Sequence, residues 1–405
     1  MKKKKKQKWM KPRHIFVRNV LNLVLGVYSR WKYGITVEKF RDQGKRAYLV
    51  LYNHQTAFDQ FFVGMAFKGA IYYVASEDLF SKGWVSSVIR CLVAPIPIKK
   101  QTTDIGAVMN CIRVAREGGT IAIAPEGNRT YSGKTEYMSS AIAPLAKKLK
   151  LPIAFYRIEG GYGVHPRWSD VLRKGKMRGF VSKVLEPEEY AGMTNEELHE
   201  RIQQELFVDE TTSESRFFSD KKAEFLERAI YVCPDCGLSE FESRGDIITC
   251  KTCGIAVRYG EDKSLTGVNC QFPFQYVTQW YDHQKDFVNK LNVLDYVEKP
   301  LYRDHSSLSE VVLYKKKIHL REDAKIALYG DRIVIDEGTE NQIVWMFADT
   351  IAISVLGKNK LNIYYGDHLY QLKSHKRFNA LKYVNIYYRY KNITRDEADS
   401  TFLGL

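Results

Sequence analysis

Apolar runs in the first two hundred positions recur at the spacing of alternating strands and helices. Residues 47–52, Ala-Tyr-Leu-Val-Leu-Tyr, lack any charged residue and read as a strand buried on both faces. Residues 59–67, beginning Asp59-Gln60-Phe61-Phe62, read as a packed helix, and residues 121–124, Ile-Ala-Ile-Ala, as a second buried strand. Thr194-Asn195-Glu196-Glu197 is a capping box that opens a helix running to about residue 207. Past residue 300 the rhythm changes. Short apolar runs at 325–329, 332–335, 342–346, 350–355 and 360–365 are separated by Gly330-Asp331, Gly357-Lys358 and Gly366-Asp367, which supply turns. A closing helix at 376–390 puts Phe378, Leu381, Val384, Ile386 and Tyr387 on one side. The pattern predicts an α/β domain, a linker at 209–219, a helix near 278–291, and a small β domain capped by one helix.

The N-terminal stretch has a different pattern. Across residues 14–33 the polar positions Arg18, Asn22 and Ser29, with Asn19 and Arg30 beside them, form a narrow stripe. Ile15, Phe16, Val20, Leu21, Leu23, Val24, Val27 and Trp31 occupy the rest. Such a helix reads as an interfacial membrane anchor, with packing on the domain core as the alternative. Its polar interruptions are too frequent for the ~20 apolar residues that span a bilayer. Charge sharpens the picture. Of a net charge of +15, residues 1–13 contribute seven Lys and one Arg with no acid. A basic tail attracts anionic lipid and nucleic acid alike; the apolar helix that follows favours lipid, on the cytoplasmic face of a membrane, and disfavours nucleic acid. The length of 405 residues exceeds what one core usually holds and implies two or three domains.

Two stretches carry chemistry. Asn53-His54-Gln55-Thr56-Ala57-Phe58-Asp59 places a His at the end of a strand and a carboxylate at the start of the next helix. His accepts a proton near neutral pH, and a carboxylate fixes its tautomer and stabilises the imidazolium. On one straight helix the two side chains would diverge by about 140°, so residues 55–58 must form a turn for them to meet. His165 and Asp170 have the same spacing but lie among Gly160, Gly161, Gly163 and Pro166 with no apolar helix after them, which marks that pair as coincidence. The second stretch is Ala124-Pro125-Glu126-Gly127-Asn128-Arg129-Thr130, where the glycine permits close approach of backbone and the guanidinium can fork onto phosphate or carboxylate. A plain strand end closed by a Glu126–Arg129 surface pair is the alternative.

These residues resemble the lysophospholipid acyltransferase family, of which 1-acylglycerol-3-phosphate acyltransferase is the best-known member, over residues 40 to 205. His54 and Asp59 sit where that family has its His-x4-Asp motif, and Glu126, Gly127 and Arg129 match its Glu-Gly-Thr-Arg block, associated with the acceptor's phosphate. Residues 76–80 fall in the segment between the motifs, residues 95–99 where an apolar strand ends in Arg, and residues 151–155 where two prolines often flank a strand. Asn128 replaces Thr, Lys99 replaces Arg, and Phe155 replaces the second proline. Lys keeps the charge but loses the planar fork. The resemblance implies an O-acyltransferase in phospholipid biosynthesis that moves a fatty acyl group from coenzyme A or acyl carrier protein to the hydroxyl of a lysophospholipid. His54 and Asp59 would be catalytic, and Glu126, Gly127, Asn128, Arg129 and Lys99 would bind the acceptor.

Cys233-Pro234-Asp235-Cys236 and Cys250-Lys251-Thr252-Cys253 form two knuckles with thirteen residues between them, the spacing of a tetrahedral four-thiolate site for Zn2+. Four sulfurs leave no open position, so the metal is expected to be structural; Cys91, Cys111 and Cys270 read as buried thiols. The segment resembles a zinc ribbon, and the last domain a pleckstrin-homology-like or GRAM-like barrel. The expected organisation is a tail and anchoring helix (1–35), an acyltransferase domain with a central mixed sheet flanked by helices (36–208), a linker (209–228), a zinc ribbon (229–262), a helical connector (263–300), the small β-barrel-like domain (301–395) and a tail (396–405). A second reading is an inactive acyltransferase fold serving as an adaptor for nucleic acid or protein through its ribbon and basic tail.

Overall fold

Parallel strands buried on both faces need helices on either side, and the first half of the chain is built that way. The computed structural model describes residues 8–80, 83–98, 104–312, 317–395 and 401–404, and the chain divides into two units. The first comprises Met1–Thr130, Lys134–Val164 and Lys174–Ser215. Its elements are α1 (Pro12–Tyr33), β1 (Ile35–Val37), β2 (Leu49–Tyr52), α2 (Asp59–Ala66), β3 (Ile71–Ser76), α3 (Trp84–Leu92), β4 (Ile96–Ile98), α4 (Ile105–Arg116) and β5 (Thr120–Ile123). They continue as α5 (Ile142–Leu149), β6 (Ile153–Glu159), the single-turn α6 (Gly161–Val164), β7 (Met177–Leu185), the single-turn α7 (Pro187–Tyr190) and α8 (Asn195–Leu206). The seven strands run in the order β1-β7-β6-β2-β5-β3-β4, parallel throughout except for the β6–β7 pair. The predicted mixed sheet is therefore present. Leu49 and Leu51 of β2 lie at its centre, in a core with Ile121, Ile153, Phe155, Ile142 and Leu198. The Thr194 capping box is formed in both directions and starts α8 as expected.

α1 combines both readings of its sequence. Its polar stripe faces inward: Arg18 Nη2 donates to the carbonyls of Gly64 (2.9 Å) and Phe67, Asn22 Nδ2 donates to Gly64 O (3.0 Å), and Ser29 is fully buried. These contacts bind α1 to the C-terminal turn of α2, whose last carbonyls have no partner within the helix. The apolar side points away from the unit, with Leu23 75 % and Trp31 81 % exposed and Phe16, Val24 and Val27 also open. Trp84 of α3, 77 % exposed, is a further large apolar side chain left open. Among the described residues no helix is long and apolar enough to cross a membrane.

The second unit comprises Tyr131–Gly133, His165–Arg173 and Arg216–Leu405. It contains the ribbon pair β8 (Val232–Cys233) and β9 (Gly237–Leu238). An antiparallel sheet follows, made of β10 (Phe241–Arg244), β11 (Ile247–Cys250), β12 (Ala256–Tyr259) and β13 (Leu265–Gly267), and then α9 (Val277–Lys290). The strands β14 (Tyr302–Glu310), β15 (Ile318–Leu328), β16 (Arg332–Ile335), β17 (Ile343–Met346), β18 (Thr350–Leu356), β19 (Lys360–Tyr365) and β20 (His368–Ser374) form an antiparallel sheet in the order β17-β16-β15-β14-β20-β19-β18, nearly closed, with α10 (Leu381–Thr394) after it. Sequence reading misses β14 and β20. Both are polar, and β14 interrupts its alternation with register shifts at Ser306–Ser309. Residues 209–211, read as the start of a linker, are instead a packed turn of the first unit in which the buried Glu210 accepts from Gly160 N at 2.6 Å.

Candidate active site

The carboxyl ends of parallel strands are where open α/β sheets assemble sites, and β2 and β5 end side by side, with Leu51 paired to Ile123. Just beyond β2, Asn53 makes a reciprocal pair with β6, donating to Ile158 O (2.8 Å) and accepting from Ile158 N (2.7 Å). Gln55 Oε1 accepts from Tyr162 N at 3.0 Å. Gly161 has to be glycine for this approach, since a Cβ there would stand 2.5 Å from Gln55 Cβ. Pinned at both residues, the chain turns and delivers Asp59 to the first position of α2, where a carboxylate also favours the helix N-terminus.

Asp59 is fully buried, and its two oxygens take four donors: His54 Nδ1 (2.8 Å), Gln55 N (2.7 Å), Thr56 N (2.9 and 3.0 Å) and Thr56 Oγ1 (2.7 Å). A carboxylate so engaged can only accept, which puts the imidazole proton on Nδ1 and makes Nε2 the nitrogen that carries the lone pair. The His54 side chain keeps 23 % of its surface exposed, enough to be reached. The turn required by the His-x4-Asp spacing is thus present, and Thr56, a member of the spacer, is the residue that sequence reasoning passed over. Ser, Thr and Asx side chains that bond backbone two to four residues away are the signal that could have found it.

Glu126 faces the same turn: its Oε1 accepts from His54 N at 2.7 Å, and the residue is buried. It holds the main chain of His54 from a buried position, where the alternative reading from sequence had placed it at the surface. Gly127 adopts a left-handed φ of 65°, closing a turn in which its N–H donates to Ala124 O (3.0 Å). Asn128 and Arg129 follow, both half-buried. Tyr33, at the end of α1, packs on Phe58 (5.1 Å between ring centroids) and Phe62 (5.8 Å). Burial pushes its hydroxyl well up, and the charges of both Arg129 and Asp59 act on it. One hydroxyl is therefore within electrostatic range of both motifs, and Tyr33 joins the set of residues around the site although nothing in its sequence context marked it. Lys99 lies outside the described residues.

Burial pushes the Glu126 carboxyl up from 4.5 to about 8, the Asp59 and Glu136 charges adding to it and the His54 amide opposing. A carboxyl that binds its proton more tightly in the fold contributes stability below its ordinary value and loses it as pH rises toward the folded value. Glu126→Gln keeps an acceptor for the His54 amide and has no proton to lose. Wild-type protein is expected to lose stability relative to that variant between pH 4.5 and about 8, by up to ~3–5 kcal/mol. Thermal unfolding of both proteins across the window measures it, and parallel curves would contradict a carboxyl buried in this way.

His165 and Asp170, the coincidental pair, belong to the second unit and do not form a dyad. Asp170 binds Arg228 (2.9 Å) and Lys358 (2.9 Å), while His165 Nε2 meets Lys358 Nζ at 3.2 Å. Burial works to raise the Asp170 carboxyl, but hydrogen bonds from the two cations outweigh it and hold the group well below the usual range.

Also in the second unit, the sulfurs of Cys233, Cys236, Cys250 and Cys253 lie within 4.8 Å of one another. Cys233 Sγ is 3.5 Å from Cys253 Sγ, and Cys236 Sγ 3.6 Å from Cys250 Sγ. Ser239 Oγ stands 3.1 Å from the buried Cys250 sulfur. Four soft donors converging from two knuckles, with a hydroxyl directed at one of them, fit a tetrahedral metal ion of the zinc type. The remaining cysteines correct the expectation of three buried thiols: Cys111 is buried and pushed up to about 12 by it, Cys270 is half-buried, and Cys91, on the outer side of α3, is exposed.

Comparison with known proteins bears on the first unit. Residues 34–158 match the family model described as Acyltransferase. A relative from Bacillus subtilis (strain 168), a 1-acyl-sn-glycerol-3-phosphate acyltransferase, is 23 % identical over 128 residues, covering 31 % of this chain and 60 % of the relative. The chain thus spans less than two thirds of that relative's length. The crystal structure of the 1-acyl-sn-glycerophosphate acyltransferase PlsC from Thermotoga maritima is similar with a TM-score of 0.42 at 21 % identity, covering 49 % of this chain and 80 % of that one. The family match falls on the segment of the first unit that holds His54, Asp59, Glu126 and Arg129.

Proposed function

We propose that the chain is a membrane-associated O-acyltransferase that moves a fatty acyl group from a thioester of coenzyme A or acyl carrier protein onto the hydroxyl of a lysophospholipid such as 1-acylglycerol-3-phosphate. The observation that carries this reading is the 2.8 Å contact of His54 Nδ1 with a carboxylate buried beneath it, which makes Nε2 the basic nitrogen of a partly exposed ring. Nε2 takes the proton of the acceptor hydroxyl as its oxygen attacks the thioester carbonyl. The tetrahedral intermediate collapses, the C–S bond breaks, and the imidazolium returns its proton to the leaving thiolate. Asp59 stabilises the imidazolium and holds the ring in place. Arg129 is suited to fork onto the acceptor's phosphate, and Glu126 serves the site by fixing the His54 main chain. Lys99 is a further candidate for the acceptor's anionic head. Zn2+ on the four cysteines would be structural, in a segment resembling a zinc ribbon, and the nearly closed sheet after it resembles a pleckstrin-homology-like or GRAM-like domain. Incubating the full chain with labelled acyl thioester and a panel of lysophospholipids tests the reading. Absence of product with every acceptor would favour the adaptor.

The outward apolar side of α1 supports a peripheral position on a membrane. Leu23→Asp combined with Val27→Asp is expected to weaken binding to phospholipid vesicles by ~100-fold or more, since each side chain contributes ~1.5–3 kcal/mol when buried. Co-sedimentation measures this, and unchanged binding would remove α1 as the contact.

A further inference from the structure

Four cations meet in one recess of the first unit. Arg18 of α1, Lys39 and Arg41 in the segment after β1, and Lys68 after α2 line a cavity of about 310 Å3 together with Phe40 and Phe67, and no acid is among its walls. Two of the four have a structural task. Arg18 Nη2 and Lys39 Nζ donate to the terminal carbonyls of α2, at Gly64 (2.9 Å), Phe67 and Met65 (2.8 Å). Capping a helix end does not account for the others: the side chains of Arg41 and Lys68 make no hydrogen bond or ion pair among the described residues. Arg18 Nε is likewise buried without a partner there. Burial lowers the Arg18 guanidinium, and burial with the charges of Arg18 and Arg30 lowers Lys39. Burial of Arg18, and its charge beside Lys39, are costs that an anion with several acceptor oxygens would relieve.

The helix that lends Arg18 also points to the source of the anion. α1 meets the recess with its inward side and turns Phe16, Leu23, Val24 and Trp31 to the opposite side. With the apolar side of an interfacial helix in the acyl boundary, its other side lies at the level of the phospholipid headgroups. We infer that Arg18, Lys39, Arg41 and Lys68 form a binding site for the phosphate of an anionic phospholipid, sharing no residue with the site around His54 and resting on the membrane-bound reading above. It retains the protein on negatively charged membrane and is not the acceptor site.

The test uses the full chain and the double variant Arg41→Glu with Lys68→Glu, which spares the two cations that cap α2. A control pair, Arg116→Glu with Lys148→Glu, makes the same charge change at exposed positions elsewhere in the unit. Partition is measured onto vesicles of phosphatidylcholine alone and of phosphatidylcholine mixed with phosphatidate, and inorganic phosphate is titrated in parallel by thermal shift. Wild-type protein should prefer the phosphatidate vesicles. The Arg41/Lys68 variant should lose about 30-fold or more of that preference, at ~1 kcal/mol per basic residue, and the control only a few-fold. Equal losses in both pairs would mean diffuse electrostatics and overturn the site. If wild-type protein binds no vesicle yet is stabilised by phosphate through Arg41 and Lys68, the recess takes free phosphate and the lipid assignment falls along with the membrane-bound reading. Vesicle binding that is indifferent to phosphatidate, with no response to phosphate, would overturn the site while leaving the membrane-bound reading intact.

Discussion

His54→Ala is expected to lower kcat/KM for acyl transfer by ~10^3–10^4-fold while leaving the first unit folded. A positioned general base contributes ~10^2–10^4-fold, and here the acceptor hydroxyl has no other nitrogen base within the turn to deprotonate it. The side chain is partly exposed, so truncation leaves no large buried cavity. Asp59→Asn is expected to be as damaging to kcat and much worse for stability. Its oxygens accept from Gln55 N, Thr56 N and Thr56 Oγ1 as well as from the imidazole. An amide must turn its NH2 toward one of those donors and leave buried N–H groups unsatisfied, at ~1–3 kcal/mol each. Rates with acyl thioester and 1-acylglycerol-3-phosphate, together with melting temperatures, separate the two variants. Turnover of His54→Ala equal to wild type would remove His54 as the base.

The difference between these variants also explains what the sequence could reveal. The His-x4-Asp spacing demanded a turn, because side chains five apart on a helix diverge, and the turn is there. What holds the turn came from outside the spacing rule: Asn53 reaches β6, Gln55 reaches Tyr162, and Glu126 reaches back from β5 to the His54 amide. Those are tertiary contacts between residues 72 to 107 positions apart, and no local pattern encodes them. Glu126 is the instructive case. Its neighbours pointed to an acceptor-binding or surface role, whereas its carboxyl is buried against main chain. The stripe on α1 was legible but its direction was not, since periodicity gives two faces without saying which one meets protein. Arg18 and Asn22 decide the matter by capping the carbonyls of α2. In the second unit the runs rich in β-branched residues became β16 to β19 where expected, while β14, Tyr-Arg-Asp-His-Ser-Ser-Leu-Ser-Glu, is held by pairing on both sides to β15 and β20 and not by its own alternation.

The four-cysteine cluster is expected to hold one Zn2+ per chain, and removing it to unfold β8 to β12, at a cost on the order of 5 kcal/mol or more. The reason is the small size of the local core. Phe241, Ile248, Val257, Tyr259 and Leu265 are the large buried apolar side chains of the four-stranded sheet, a small core for a segment running from Phe241 to Gly267. The first knuckle is closed by a pair of two-residue strands, with Cys233 and Gly237 paired across a turn, too short to persist without a cross-link. Four sulfurs within 4.8 Å supply that link once a cation offsets their charge; without it, deprotonated thiols at 3.5 Å repel. Cys250→Ser should be the most disruptive single change, because Cys250 ends β11, is buried, and lies 3.1 Å from the Ser239 hydroxyl. Phe241 packs on Trp280 of α9 at 5.5 Å, so the loss should spread to that helix. Metal content against thiol titration gives the stoichiometry, and hydrogen exchange over residues 232–259 before and after chelation gives the effect. Protection that survives complete removal of metal would show that the cysteines cluster for packing alone.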